Sequence, residues 1–261
     1  MKRLMTATLA LSVIATAAGC KGGSGDDGPD AFFPPERVDE LAHAVMLAEE
    51  DMPGTGWDVE STDNFDVEDN PAADTAFEMD PACAKFRDFE GIAWLLGDEE
   101  EGEVPAGRAS IEWSKSTAAS IPITVEVSVD IEETIGEVSD SWNFMRDNID
   151  MREMNDCVVA VMNASFKADD DFAGGTVSVT RGTPSRVAPI DGTTMAFDLN
   201  MQFGQLDEDR VFEVYFFAYG NADVTVFFSS DADDLDPEII EGALAAVVRK
   251  LETTEASVKA E

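Results

Sequence analysis

The chain has 261 residues, 55 of them acidic against 17 basic, giving a formal charge of -38 with 44% hydrophobic residues. A surface this anionic repels nucleic-acid phosphates and anionic lipid headgroups, so neither is an expected partner, while the apolar fraction suffices to bury a core. The acids are scattered along the whole chain; this reads as a solvated anionic shell whose self-repulsion salt would screen, and it points to a saline habitat.

Lys2 and Arg3 precede an apolar, small-residue run from Leu4 to Ala18, which is too short to span a bilayer and has the layout of a cleaved secretory signal. The run ends in Ala17-Ala18-Gly19-Cys20. This resembles the lipobox of bacterial lipoproteins, with Ala17 where that family prefers leucine. The resemblance implies that residues 1–19 are removed and that Cys20 carries a diacylglycerol. The other reading is a soluble secreted protein cut among the same small residues, with Cys20 incidental. "KGGSGDDGPD" follows at once, so residues 20–35 are expected to form a flexible tether between a lipid anchor and a folded domain. The expected place is the extracytoplasmic face of the cell membrane, with the membrane itself as partner through the lipid.

Beyond the tether, "PERVDELAHAVMLAEE" carries Val38, Leu41, Val45 and Ala48 at helical spacing and stops at Pro53, Gly54 and Gly56. Residues 61–78 are acidic and poorly patterned, and are expected to be a loop. A second helix is expected from Asp80, a natural N-cap with Pro81 at the first position, running along Phe86, Phe89, Ala93 and Leu96. The period then changes to two: Ile111 and Trp113 in "RASIEWSKS", and Val125, Val127, Val129 and Ile131 in "ITVEVSVDIEE", predict a hairpin with one buried face.

Residues 137–148 turn helical again, and the tendency resumes through Cys157 to Asn163. Strands are expected at "GTVSVTR", "TTMAFDLNMQF", "RVFEVYFFAYG" and "ADVTVFFSS", the last two joined by a Gly-Asn turn. "VFEVYFFAY" is apolar on both sides: either a central strand covered on both faces, or one whose second face lines an apolar pocket. A final helix begins at Asp236 as N-cap and Pro237, ending with Arg249 and Lys250 at its negative dipole end. Residues 253–261 are expected to be a polar tail. This order predicts an α+β fold: one domain over residues 36–252, an antiparallel sheet of about five to seven strands with packed helices and a C-terminal helix.

With Cys20 assigned to lipid, Cys83 and Cys157 remain, and an even pair in an exported domain is most simply a disulfide; two unpaired buried thiols are the alternative. "MLAEEDMPGTGWDVE", the segment around Cys83, the hairpin strands, the helix leading into Cys157, "VYFFAYGNADVTVFF" and "ALAAVVRKL" resemble, in order and texture, actinobacterial lipoprotein and sensor-type extracellular domains. Among these are the sensor domains of Ser/Thr protein kinases. Those sensors have two disulfides, where this chain has cysteines for one. The resemblance implies a sheet with helices packed on it, a cleft and ligand sensing, and it carries over no catalytic residues.

His43 is the only histidine, and "ELAHAV" lacks the second histidine of a zinc peptidase motif. No GxSxG turn or phosphate-binding glycine loop occurs. Carboxylate pairs are too many to single one out. "DADDLD", Asp231 to Asp236, has neither the glycine nor the distal glutamate of an EF-hand and serves equally as a loop with an N-cap; "DDD" at 169–171 reads the same way. Asn163-Ala-Ser165 matches a glycosylation sequon. The expected function is therefore a lipid-anchored, extracytoplasmic binding or sensor-like module for an unidentified small molecule or protein, not an enzyme, with no cofactor and no metal. The alternatives are a cell-envelope hydrolase working through carboxylates and a purely structural surface lipoprotein.

Overall fold

The computed structural model describes residues 33–62, 71–86, 107–117, 122–132, 151–168, 176–183, 192–203, 206–231 and 235–260. Cys20, the helix expected over 137–148, the continuation of the second helix past Phe86 and the aspartates 169–171 lie outside them.

Seven strands form one antiparallel sheet: β1 (Trp57–Thr62), β2 (Arg108–Lys115), β3 (Ile123–Ile131), β4 (Thr176–Arg181), β5 (Gly192–Phe203), β6 (Leu206–Tyr219) and β7 (Ala222–Asp231). Their spatial order is β1-β2-β3-β7-β6-β5-β4, so two meanders meet where β3 lies beside β7. Among the described residues four α-helices accompany them: α1 (Val38–Val45), α2 (Pro71–Met79), α3 (Met151–Ala168) and α4 (Pro237–Ala260). The architecture is α+β, as the change of hydrophobic period predicts.

The odd-numbered apolar residues of β2 and β3 lie on one face with Val224, Val226 and Phe228 of β7. They pack against Leu41, Ala42 and Val45 of α1 and Ile240, Ala243, Leu244, Val247 and Leu251 of α4, all buried. Burying such side chains stabilises by roughly 1.5–3 kcal/mol each, so this layer dominates stability. Gly107 sits at φ 144, a conformation L side chains rarely adopt, where a Cβ would lie 2.8 Å from the Ile131 carbonyl oxygen. The strand therefore enters the sheet in contact with its neighbour's end.

Three expectations change. Residues 61–78, expected as a loop, contain the end of β1 and all of α2. Neither element has a strong apolar pattern, because β1 is an edge strand that buries only Trp57 and α2 buries Phe77. Asp80 and Pro81 do take cap and first positions, but of a short 3-10 turn, Pro81–Cys83, in which Asp80 Oδ1 accepts from Ala82 N at 2.8 Å. The polar tail over 253–261 is instead the last part of α4, which runs to Ala260. Its face continues past Leu251 through buried Thr254 and through Val258, which packs on the core, while Glu255 accepts a hydrogen bond from the Tyr219 hydroxyl at 2.9 Å. A stripe this thin does not register in composition, and helical period alone carries it.

β6 is a central strand between β5 and β7, with Phe212, Val214, Tyr215, Phe216 and Phe217 all buried. Its apolar character on both sides is that of a strand covered on both faces.

Candidate functional site

The cysteine pair expected from an exported domain is bonded: Cys83, in the turn after α2, is joined to Cys157 of α3 with Cα atoms 4.7 Å apart. The bridge ties α2 to α3, which lies along the outer edge strand β4. There the Asn163 amide makes a two-point contact: its Oδ1 accepts from Val179 N at 2.9 Å and its Nδ2 donates to Val179 O at 3.0 Å. The side chain thus imitates a neighbouring strand and occupies one site of the open sheet edge. The sequon asparagine spends its amide inside the fold.

His43 stands half-exposed on α1 with Nδ1 2.8 Å from the Asp39 carbonyl oxygen. Asp236 Oδ1 accepts from Glu238 N at 2.9 Å and so caps α4; residues 232–234 of "DADDLD" lie outside the described residues. No group of three or more metal-ligating side chains forms among the described residues.

The unusual chemistry lies on the face of the sheet turned away from α1 and α4. Strand alternation places Ser110, Glu112 and Ser114 of β2 there, opposite Ser128, Glu126 and Thr124 of β3. β7 adds Thr225 opposite Ser128 and Phe227 opposite Glu126. Ser110, Ser114, Ser128 and Thr225 are buried, and the two glutamates are half-buried. Like charges directly opposite on paired strands repel. Burial and the Glu112 charge push the Glu126 carboxyl up to about 8, and burial likewise raises Glu112. Glu126 is therefore protonated at neutral pH.

An irregularity in β1 shapes this pair. The register of β1 on β2 shifts between Val59 and Ser61, bringing Ser61 opposite Glu112. Without the shift Glu60 would stand there, a third carboxylate in line. With it, Ser61 Oγ donates to Glu112 Oε2 at 3.1 Å, and Ser114 Oγ donates to Glu60. The bulge sets a hydrogen-bond donor opposite Glu112, while the nearby Glu60 charge still raises its carboxyl.

Toward the other end of the same face, Arg108 and Asp130 are opposite each other and buried, Nε to Oδ1 3.3 Å. Asp223 of β7 stands opposite Asp130. Burial, then the charges of Glu132 and Asp130, raise its carboxyl well above the usual range. The face thus carries one balanced pair, Arg108–Asp130, and one unbalanced pair, Glu112–Glu126.

Sequence reasoning missed this pairing. The polar positions of "RASIEWSK" and "ITVEVSVDI" do each hold a glutamate flanked by hydroxyl residues. Which glutamate faces which depends on register, and the local pattern leaves that open. No protein-family model matches the chain, and no curated protein matches it.

Proposed function

We propose that the chain is a lipid-anchored extracytoplasmic binding or sensor-like module without catalytic activity. The observation that carries the reading is the Cys83–Cys157 bond in a chain whose Cys20 closes a lipobox-like segment: disulfides persist in oxidising compartments, which is where such a segment would deliver the domain. The polar, hydroxyl-rich sheet face is the surface such a module would use for a ligand. The test is mass spectrometry of the protein purified from its own membrane. A diacylglyceryl group on Cys20 and a co-purifying small molecule are expected; an unmodified Cys20 overturns the anchor. A lipidated protein that carries nothing favours a purely structural surface lipoprotein.

The opposed Glu112 and Glu126 give a specific reason to keep a carboxylate hydrolase as the second reading, because a raised carboxyl is what a general acid needs. Glycosidase carboxyls, however, flank the scissile bond from opposite sides. Glu112 and Glu126 project from one face of adjacent strands and approach a ligand from the same side. Release of sugar from chromogenic glycosides, abolished in Glu126→Gln, would reverse the order of the two readings.

A further inference from the structure

We infer that the outer edge of β1 receives an extended, cationic segment of a partner protein, which adds to the sheet as a further strand. This goes beyond the binding-module reading, whose ligand is placed on the sheet's polar face and not on its edge.

The first observation is the unequal treatment of the two edges. The sheet ends in β4 on one side and in β1 on the other. At β4 the Asn163 side chain engages both Val179 N and Val179 O. β1 has β2 as its one strand neighbour, and among the described residues its backbone makes no hydrogen bond outside that pairing. An edge left in this way presents a row of N–H and C=O groups to which another chain can pair.

The second is exposure along the same strand. Asp58, Val59, Glu60 and Thr62 are all exposed, and Val59, at 48%, is one of two large apolar side chains exposed among the described residues. Val59 stands opposite Trp113, on the face that carries the core. An apolar side chain on an added strand would lie beside Val59 and extend that face outward.

The third is charge, and it selects the occupant. Asp58, opposite Ser114, and Glu60, which accepts from Ser114 Oγ, share the other face of the strand. The one cation in register with β1 is Lys115, opposite Trp57, and its ammonium lies over the Trp57 ring, 5.5 Å from the centroid. The other register partners are Ser114, Trp113, Glu112 and Ile111. A strand with lysine or arginine at alternate positions would meet Asp58 and Glu60 on one face and offer apolar side chains to Val59 on the other.

The same charges disfavour a second copy of this chain. Adding β1 to β1 would bring Asp58 and Glu60 against their own counterparts, and like charges opposed on paired strands are destabilising. The formal charge of -38 on each copy compounds the repulsion. Bulges and exposed charges are devices by which proteins keep an edge from indiscriminate pairing. Here they turn away acidic chains, this protein's own copies included, and admit a basic one.

The experiment is fluorescence anisotropy of labelled peptides with the full chain, as isolated from its membrane, in detergent. The probe is a peptide of alternating lysine and valine. One control replaces its lysines by glutamates; the other keeps the lysines but is N-methylated at every amide, so that it has charge without backbone donors. The basic peptide should bind at least about tenfold more tightly than either control, the worth of a few edge hydrogen bonds or ion pairs. Asp58→Lys combined with Glu60→Lys should cost about tenfold and admit the acidic peptide, with the fold intact by circular dichroism. The milder Asp58→Asn and Glu60→Gln should each weaken binding several-fold. Equal binding of the N-methylated peptide would show charge attraction without strand addition, and unchanged binding across the variants would place the peptide elsewhere. Dimers of the chain alone in sedimentation, dissociated by Val59→Asp, would put a second copy on the edge. Each of these overturns the inference. A small molecule retained by the native protein, with no peptide bound, overturns it too and leaves the binding-module reading standing.

Discussion

Asn221 holds Phe33 through both atoms of its side-chain amide. Phe33 N donates to Asn221 Oδ1 at 2.9 Å and Asn221 Nδ2 donates to Phe33 O at 2.9 Å, while the same Nδ2 reaches Glu132 O at 2.7 Å. Both residues are fully buried. Asn221 lies in the turn between β6 and β7, so this one side chain joins the first described residue of the chain, the end of β3 and the centre of the sheet. Phe33, counted with the tether over residues 20–35 on composition, is packed into the core, three residues ahead of Glu36, where the domain is expected to begin.

Asn221→Ala should therefore destabilise well beyond an ordinary turn substitution. Backbone groups of Phe33 and Glu132 would be left buried without partners, at about 1–3 kcal/mol each, for an expected loss of about 2–4 kcal/mol in urea unfolding. Asn221→Asp should cost at least as much, because it sets a carboxylate oxygen against two carbonyls. A loss below about 1 kcal/mol for both variants would show that the clasp is dispensable.

Reduction of the Cys83–Cys157 bond, which spans 74 residues, should lower stability by about 4 kcal/mol on loop-closure entropy. Guanidinium unfolding with and without reductant measures this. The double substitution Cys83→Ala and Cys157→Ala should reproduce the reduced protein, and Asn163→Ala should add to its loss, since the bond holds α3 to the turn after α2 and the amide holds it to the sheet's outer strand.

Stability should fall as the pH rises from weakly acidic to weakly alkaline. The folded chain keeps the Glu126 proton up to about 8, where an unfolded glutamate loses it near 4.5. Between those values the native state binds more protons than the unfolded one, so the contribution of this group is complete below the lower value and gone by the upper. Glu112 and Asp223, both raised, act in the same sense. Glu126→Gln should flatten the slope and stabilise the protein at pH 8, by an amount on the order of 2 kcal/mol. Thermal midpoints from pH 5 to pH 8 check it, and an unchanged slope in the variant would contradict the assignment.

The midpoint of thermal unfolding should rise between 0.05 and 1 M NaCl, since the Debye length contracts from above 10 Å to about 3 Å and a net charge of -38 repels itself less. A flat or falling midpoint would show that the acidic shell carries no such cost.

Much of the fold was legible in the sequence because its signals are local. Alternation marked β2, β3 and β7, and the Asp236-Pro237 start marked α4, since an N-cap and a fixed φ act within one turn. β1 and α2 escaped because each buries little of its own and is held by neighbours: β1 by its register on β2, α2 through α3 and the bridge. The last turns of α4 escaped because Thr254 and Val258 are a sparse stripe among polar residues.

By itself, then, the sequence determined the types of the strongly patterned elements, the antiparallel class, the pairing of the two spare cysteines and the anionic surface, all of which follow from composition or from periods of two and 3.6. Tertiary structure alone decided that β3 pairs with β7 across some ninety residues of chain, that a bulge brings Ser61 rather than Glu60 opposite Glu112, and that Glu112 faces Glu126. The reason is physical: register is set by long-range packing of the whole sheet, and a slip of one residue would exchange its two faces while leaving every local pattern intact.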